Sequence, residues 1–309
     1  MEKITILLAA YNGAQYIDQM IQSIQAQTAT NWRLILSDDN SEDGTPEILE
    51  RYAQEDSGRI VHYRSGQRFG CAQRHFMHLL EKFHDSEYIM FCDQDDVWHA
   101  DKIFKTMNKM RQIETSGKPA MVHTDLRVVD NRLEMIDPSF MHFSKLRGDR
   151  LGLNHLLVQN VVTGCTMMIN RPLAELAVVR IPRGEILMHD WWLALIAAAL
   201  GTTGYLNEAT IDYRQHENNV VGAKNSRSVS YILNKLKSDG VRTAMQLTYQ
   251  QARAFCETFA DLLTERDKIL VTAYASLENA EYFVRRRIFV QYSFYKIGIS
   301  RIAAQMIWG

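Results

Sequence analysis

The stretch Ile4-Thr5-Ile6-Leu7-Leu8-Ala9-Ala10, followed at once by Tyr11-Asn12-Gly13, decides how the rest of the chain is read. A nearly unbroken apolar run suits a strand covered on both faces, the kind found in parallel sheets. Behind it Ile17, Met20, Ile21 and Ile24 recur at helical spacing, and residues 32–37 are again largely aliphatic. Thr45 then serves as an N-cap with Pro46 at the first helical position, opening a helix that carries Ile48, Leu49 and Tyr52. Residues 60–63 read as a short strand, Phe76, Leu79, Leu80 and Phe83 mark a helix, and residues 88–92 form another strand. Such alternation predicts an α/β fold with a mostly parallel central sheet flanked by helices.

Beyond residue 100 the alternation loosens. Residues 102–113 read as a helix, 120–124 and 163–169 as strands, and 189–200 as a buried helix, with short strands near Gly204 and Ile211. From about Ser226 the pattern is helical. The chain is therefore expected to divide into 1–224, carrying the chemistry, and 225–309, a helical C-terminal appendage.

With 309 residues, 46 % of them hydrophobic and 23 % charged, the chain can bury a substantial core and is not disordered. Thirty-five basic against 36 acidic side chains leave no field that would hold a polyanion, so no nucleic-acid partner is expected. Cys71, Cys92, Cys165 and Cys256 are widely spaced with no CxxC, and read as reduced core residues of a cytosolic protein. The N-terminal run makes a poor signal peptide. The longest uncharged apolar stretch, 191–200, falls short of the roughly 20 residues of a membrane span.

In an open parallel sheet, ligands sit beyond the carboxyl ends of the strands. Three polar clusters fall there: Tyr11-Asn12-Gly13, Asp38-Asp39-Asn40-Ser41 and Asp93-Gln94-Asp95-Asp96. Packing three carboxylates of one turn beside an apolar strand is costly unless a cation or hydrogen-bond donors compensate, and a hard ion such as Mg²⁺ or Mn²⁺ would do so. In the second cluster Asp38 and Asp39 suit hydrogen bonds from a base ring and ribose hydroxyls, with Tyr11 offering a flat face. Residues 39–50 also fit the calcium-loop template, but they follow a strand where that loop needs a helix, and Pro46 replaces its apolar eighth residue. Asp190, at the start of the 189–200 helix, suits either a helix N-terminus or a general base shielded by Trp191 and Trp192.

Together these blocks resemble the nucleotide-sugar half of family 2 glycosyltransferases of the glycosyltransferase-A fold. Residues 92–98, His189-Asp190-Trp191-Trp192 and Tyr213-Arg214-Gln215-His216 resemble its rhamnosyltransferase-like branch, which builds bacterial surface polysaccharides. The resemblance covers roughly residues 3–222. It implies that Tyr11 and Asp39 contact the base, with Asn12 and Asp38 in the same donor-binding blocks, and that Asp93 contacts the ribose. Asp95 would hold a divalent ion, Mg²⁺ or Mn²⁺, on the donor diphosphate, with Asp96 as the runner-up ligand. Arg68 and Arg74 would hold the phosphates, Gly164 would let the backbone approach the transferred sugar, and Trp191 would stack on a sugar. His216 would touch the metal or leaving group, and Asp190 would deprotonate the acceptor hydroxyl.

One base without a second carboxylate nucleophile implies a single displacement with inversion, from dTDP-rhamnose or a rival UDP-hexose, onto a saccharide or lipid-linked acceptor. A non-catalytic sugar-nucleotide binder would have no need of Asp190, and a phosphoryl or nucleotidyl transferase would want a glycine loop or lysine after the first strand. At the C-terminus Val284, Ile288, Tyr292, Tyr295, Ile299, Ile302 and Met306 form one helical stripe accompanied by Arg285, Arg286, Arg287, Lys296 and Arg301. Residues 283–309 are expected either to lie on an anionic membrane, making the protein cytoplasmic and peripheral, or to pack on the catalytic part or a second subunit.

Overall fold

The computed structural model describes residues 3–182, 184–215 and 238–308. Strands β1 (Ile4–Ala10), β2 (Trp32–Asp38), β3 (Ile60–Tyr63) and β4 (Tyr88–Cys92) alternate with helices α1 (Ile17–Gln25), α2 (Thr45–Glu55) and α3 (Ala72–Phe83). Then come β5 (Val97–Trp98), α4 (Lys102–Ile113), β6 (Ala120–Val129), β7 (Met135–Asp137) and the short helices α5 (Phe140–Phe143) and α6 (Leu153–Leu156). β8 (Met168–Asn170), α7 (Arg171–Val179), α8 (His189–Leu200) and β9 (Thr202–Arg214) complete the sheet region.

Among the described residues the sheet runs β3-β2-β1-β4-β8-β6-β9-β5, with β7 paired to β6. β3-β2-β1-β4 is parallel, with Ala10 opposite Asp38 and Leu8 opposite Cys92, so the strands β1, β2 and β4 end together. β8 runs antiparallel to β4 and β6, while β9 runs parallel to β6 and antiparallel to β5, which makes the sheet mixed. The two strands expected near Gly204 and Ile211 are one, β9. The strand expected over 163–169 is only β8, because Gly164–Thr166 turns as a 3₁₀ segment.

Successive strand residues point to opposite faces, so β1 feeds two cores. Ile4, Ile6, Leu8 and Ala10 join α1, α2 and α4, whereas Leu7 joins α3, α7 and α8. The second core continues into the C-terminal helices. Trp192 of α8 meets Phe255 and Phe259 of the helix Ser238–Phe259 at ring-centroid distances of 5.4 and 5.9 Å. Phe289 and Phe294 are buried in the same core. The expected boundary near 222–226 lies outside the described residues.

The C-terminal stripe is not one helix. Tyr282–Tyr292 ends at Ser293 in the left-handed region (φ 56°), and Gly298 (φ 95°) precedes Ile299–Trp308. The break rotates the stripe apart: Ile288, Tyr292, Tyr295 and Met306 pack on the core, while Val284 and Ile299 are exposed. Arg301 donates to the carbonyls of Ser144 and Lys145 at 2.6 and 2.9 Å, and Gln159 accepts from the Ile297 amide at 2.8 Å. Among the described residues no helix is long and apolar enough to cross a membrane. The cysteines are free; Cys92 and Cys165 are core residues as expected, but Cys71 caps α3 in the open and Cys256 is half-buried.

Candidate active site

Tyr11, Asp39 and Asp93 follow the carboxyl ends of β1, β2 and β4 and so meet at one rim of the sheet. Gln94 ties two of these ends: its Oε1 accepts from the Tyr11 amide at 2.7 Å, and its Nε2 donates to the Tyr11 carbonyl at 2.9 Å. The turn needs Gly13, since a Cβ there would stand 2.3 Å from Gln94 Oε1. Asn12 sits in the left-handed region (φ 49°), its amide donating to Ser41 Oγ at 2.7 Å and its Oδ1 accepting from the Glu42 amide at 2.9 Å. Asp38 accepts from the Ser41 amide at 2.9 Å.

Asp39 is buried and accepts from the amides of Phe69 and Gly70, the latter at 2.8 Å. Those bonds fix the loop carrying Arg68, whose guanidinium lies 5.3 Å from the Tyr11 ring centroid and donates to the Tyr11 hydroxyl at 2.9 Å. Arg68 therefore stands at the end of the rim expected to hold the base. Arg74 is exposed on α3. The calcium-loop alternative finds no support: Asp39 faces the 69–70 loop, and Glu50 pairs with His62 and Arg64.

One capping expectation shifts by a residue. Thr45 is the first residue inside α2, and its amide is taken by Asp43 at 3.0 Å. The other Asp43 oxygen accepts from the Ala14 amide at 3.1 Å, and Thr45 Oγ1 accepts from the Gly13 amide at 2.8 Å, so the start of α2 also holds the β1 turn.

The acidic turn faces α8. Burial drives the Asp93 carboxyl well up from its ordinary value, and the charges of Asp95 and then Asp190 push the same way. Asp190 is 6 % exposed, and burial raises it too, from the ordinary 3.8 to about 7, against the lowering hydrogen bonds from the Trp191 and Gly164 amides and Asn160 Nδ2. The Asn160 contact is 3.1 Å. A Cβ on Gly164 would lie 2.8 Å from His189 Nε2, so glycine is what lets this turn lie against the start of α8. Burial lowers His189 to about 3, and its neutral ring packs 4.4 Å from Phe76 and 5.2 Å from Phe91. Trp191 is half-buried, its indole N–H bonded to the Leu156 carbonyl.

A carboxylate oxygen of Asp93, one of Asp96 and the Cys165 sulfur lie within 4.8 Å of one another. Acid crowded into a buried turn is what a divalent cation relieves, so the residues fit such an ion. Asp95 is half-buried beside them, whereas Asp96 is wholly buried. His216 lies outside the described residues.

Several functional supports had no clear signal in the sequence. Arg214, buried at the end of β9, donates from Nε to the Asp95 carbonyl at 2.8 Å and from its amide to Asp96 Oδ1 at 3.3 Å, bracing the turn from behind. Its membership of the 213–216 block was its only mark. Gln94 was visible merely as a neighbour of acids, and Asn160 had no local signature.

The model of the family described as Glycosyl transferase family 2 matches residues 5–175, more than half of the chain. The dTDP-rhamnosyl transferase RfbG of Shigella flexneri is 28 % identical over 234 residues, covering 72 % of this chain and 76 % of its own. Among solved structures, S. aureus TarS 1-349 in complex with UDP-GlcNAc superposes with a TM-score of 0.59 at 15 % identity, over 98 % of this chain and 79 % of that one. The mannosyltransferase PcManGT of Pyrobaculum calidifontis, in complex with GDP-Man and Mn²⁺, gives 0.55 at 16 % identity over 99 % and 78 %. At such identities the structural likeness establishes the glycosyltransferase-A fold.

Proposed function

The chain belongs to glycosyl transferase family 2, and from that premise we propose that it is an inverting enzyme moving rhamnose from dTDP-rhamnose to a saccharide or lipid-linked acceptor in surface-polysaccharide synthesis. The observation that carries the proposal is the convergence of Tyr11, Asp39 and Asp93 at one sheet rim, with the Gly164-Cys165 turn linking the acids after β4 to the buried Asp190. An acid turn at the sheet rim faces a single buried carboxyl whose proton affinity is raised to about 7, the value that suits a general base at neutral pH.

In this reading the donor base lies against Tyr11 near Arg68 and Asp39, and the ribose reaches Asp93, with Asn12 and Asp38 holding the turns that shape the pocket. The acceptor hydroxyl attacks the anomeric carbon on the face opposite the departing nucleoside diphosphate, and Asp190 takes its proton. Asn160 and the amides of Gly164 and Trp191 aim that carboxylate, so the proton acceptor is in place before the sugar arrives. Gly164 keeps the backbone low beside the sugar, and Trp191 is available to stack on it. A divalent ion, Mg²⁺ or Mn²⁺, held by Asp95 would offset charge developing on the leaving diphosphate. Asp96 and His216 remain the other proposed contacts on that side, and Arg74 a phosphate contact.

The rhamnose assignment is supported by the relative whose name states it; a UDP-hexose is the alternative, favoured by the UDP-GlcNAc complex of the structural neighbour. Thermal stabilisation and metal-dependent donor hydrolysis across a panel of nucleotide sugars decide between them. dTDP-rhamnose is expected to raise the unfolding midpoint and turn over, UDP-glucose to do neither; the reverse pattern rejects the rhamnose assignment. The 283–309 segment is proposed to touch an anionic membrane surface, supported by exposed Tyr282, Phe283 and Val284 beside exposed Arg287. Membrane contact would make the protein peripheral at the cytoplasmic face, and a second copy of the chain is the alternative occupant.

A further inference from the structure

Two glutamines that the reaction scheme leaves unused tie the surroundings of Asp190 to the C-terminal helices. Gln159 Oε1 accepts from the amide of Ile297, in the link between the helices Tyr282–Tyr292 and Ile299–Trp308, at 2.8 Å. The next residue is Asn160, whose Oδ1 accepts from the Val162 amide at 2.9 Å while its Nδ2 donates to Asp190 Oδ1 at 3.1 Å. Earlier in the same segment Asn154 Nδ2 donates to the Tyr292 carbonyl at 3.3 Å, and the Leu156 carbonyl takes the Trp191 indole N–H. From the other side, Gln251 of the helix Ser238–Phe259 is 1 % exposed, and its Oε1 accepts from the Leu187 amide at 2.8 Å. Leu187 lies in the loop that opens α8, and this loop packs closely on the same helix: a Cβ on Gly184 would stand 3.0 Å from the Cβ of Ala254. Gln251 Nε2 is buried with no partner among the described residues. An unpaired buried amide costs stability, so what this glutamine supplies is the bond to Leu187.

Asp190 is thus held along two routes, Ile297–Gln159–Asn160 and Gln251–Leu187, and both begin in the C-terminal helices. We propose that Gln159 and Gln251 are positioning residues for Asp190, through which the C-terminal helices aim its carboxylate at the acceptor hydroxyl. The proposal rests on reading Asp190 as the base. Packing of Trp192 on Phe255 and Phe259 fixes α8 as a body, but a misplacement of about 1 Å at a reacting group can cost about a hundredfold in rate. Directional ties on both sides of the carboxyl supply that finer placement. The helices after residue 238 then belong to the machinery of proton transfer.

Gln159→Met in the full chain keeps the length of the side chain and removes its acceptor oxygen. With dTDP-rhamnose or UDP-glucose as donor it should lower kcat about tenfold at unchanged donor affinity, and Asn160→Ala should do the same. Because Gln159 acts through Asn160, adding Gln159→Met to Asn160→Ala should cost less than about twofold more. Gln251→Met, on the other route, should also lower kcat about tenfold with donor affinity kept. Unfolding midpoints measured alongside separate positioning from packing: glutamine variants that lose midpoint but keep kcat would overturn the proposal. Full multiplication of the Gln159 and Asn160 effects would overturn it too. The ¹³C carboxyl resonance of Asp190, assigned by its loss in Asp190→Asn, reads the same cycle with no substrate present. Gln159→Met and Asn160→Ala should shift it alike, and a resonance that Gln159→Met leaves in place counts against the proposal. Should one glutamine variant not fold, the other carries the test through the same resonance. Should Asp190→Asn keep full turnover, or neither donor turn over, the base reading itself fails, and the resonance still decides whether the glutamines hold the carboxyl.

Discussion

Asp190 is the residue whose surroundings matter most for the proposed reaction. Burial lifts its carboxyl to about 7, so as the proposed base it would be largely protonated below neutrality and competent above it. The logarithm of kcat is therefore expected to rise with pH and level off above about 7, and the profile of Asp190→Asn should be flat. That variant should keep donor affinity and lose about a hundred- to ten-thousand-fold in kcat. A steady-state pH series on both proteins, with donor affinity measured separately, checks both statements. The same shift has a stability consequence of definite sign. Between the ordinary 3.8 and about 7 the native state holds a proton that the unfolded chain has released, so this contribution is full below 3.8 and fades as pH rises through 7. Asp190→Asn should thus gain stability relative to the original at pH 8 and little at pH 4, measured by denaturant titration. Asp190 was legible as the acidic start of a buried helix; its raised proton affinity was not, because Asn160, Gly164 and the hydrophobic cover come from distant segments.

At the scale of elements, the site depends on how the turns after β1 and β2 are tied to each other and to α2. Gly13→Ala would drive a methyl into Gln94 Oε1 and break the two bonds that Gln94 makes to Tyr11. The expected cost is about 1–3 kcal/mol of stability, with weakened donor binding, measurable by denaturant melts and donor titration. Asp43→Ala should cost about 1 kcal/mol by freeing the Thr45 and Ala14 amides. Because hydrogen bonds from Thr45 and Ala14 hold the Asp43 carboxyl below its usual range, that stability is present at neutral pH and lost on acidification. Strand and helix periods made β1 to β4 and α1 to α4 readable, since each buries a face set by its own local repeat. The first part of the 163–169 segment failed as a strand because Cys165 and Met167 fill the core from a turn. Apolarity signals burial, and only backbone pairing distinguishes the two.

Across the whole molecule, the C-terminal helices are part of the same core as α8. Deleting 283–309 would remove Phe289 and Phe294 from that core, so such a truncation would unfold the packing as well as test membrane contact. Point changes on the open side separate the two effects. Phe283, 83 % exposed, and Arg287, also exposed, can be replaced without touching the core. Phe283→Ser with Arg287→Glu should lower partitioning onto anionic vesicles about tenfold while leaving the unfolding midpoint in place. Unchanged partitioning would remove the membrane from the proposed partners.

By itself the sequence determined the alternation of strands and helices from β1 to β4, the meeting of three polar strand ends at one rim, and the acidic turn among them. Those features follow from local periodicity and from the rule that parallel strands present their carboxyl ends together. Tertiary structure alone decided that Asp190 is buried with its proton affinity raised, that β8 runs against its neighbours, and that the last helices bend back onto the core. Burial and electrostatic coupling are set by segments far apart in the chain, and no local pattern records them.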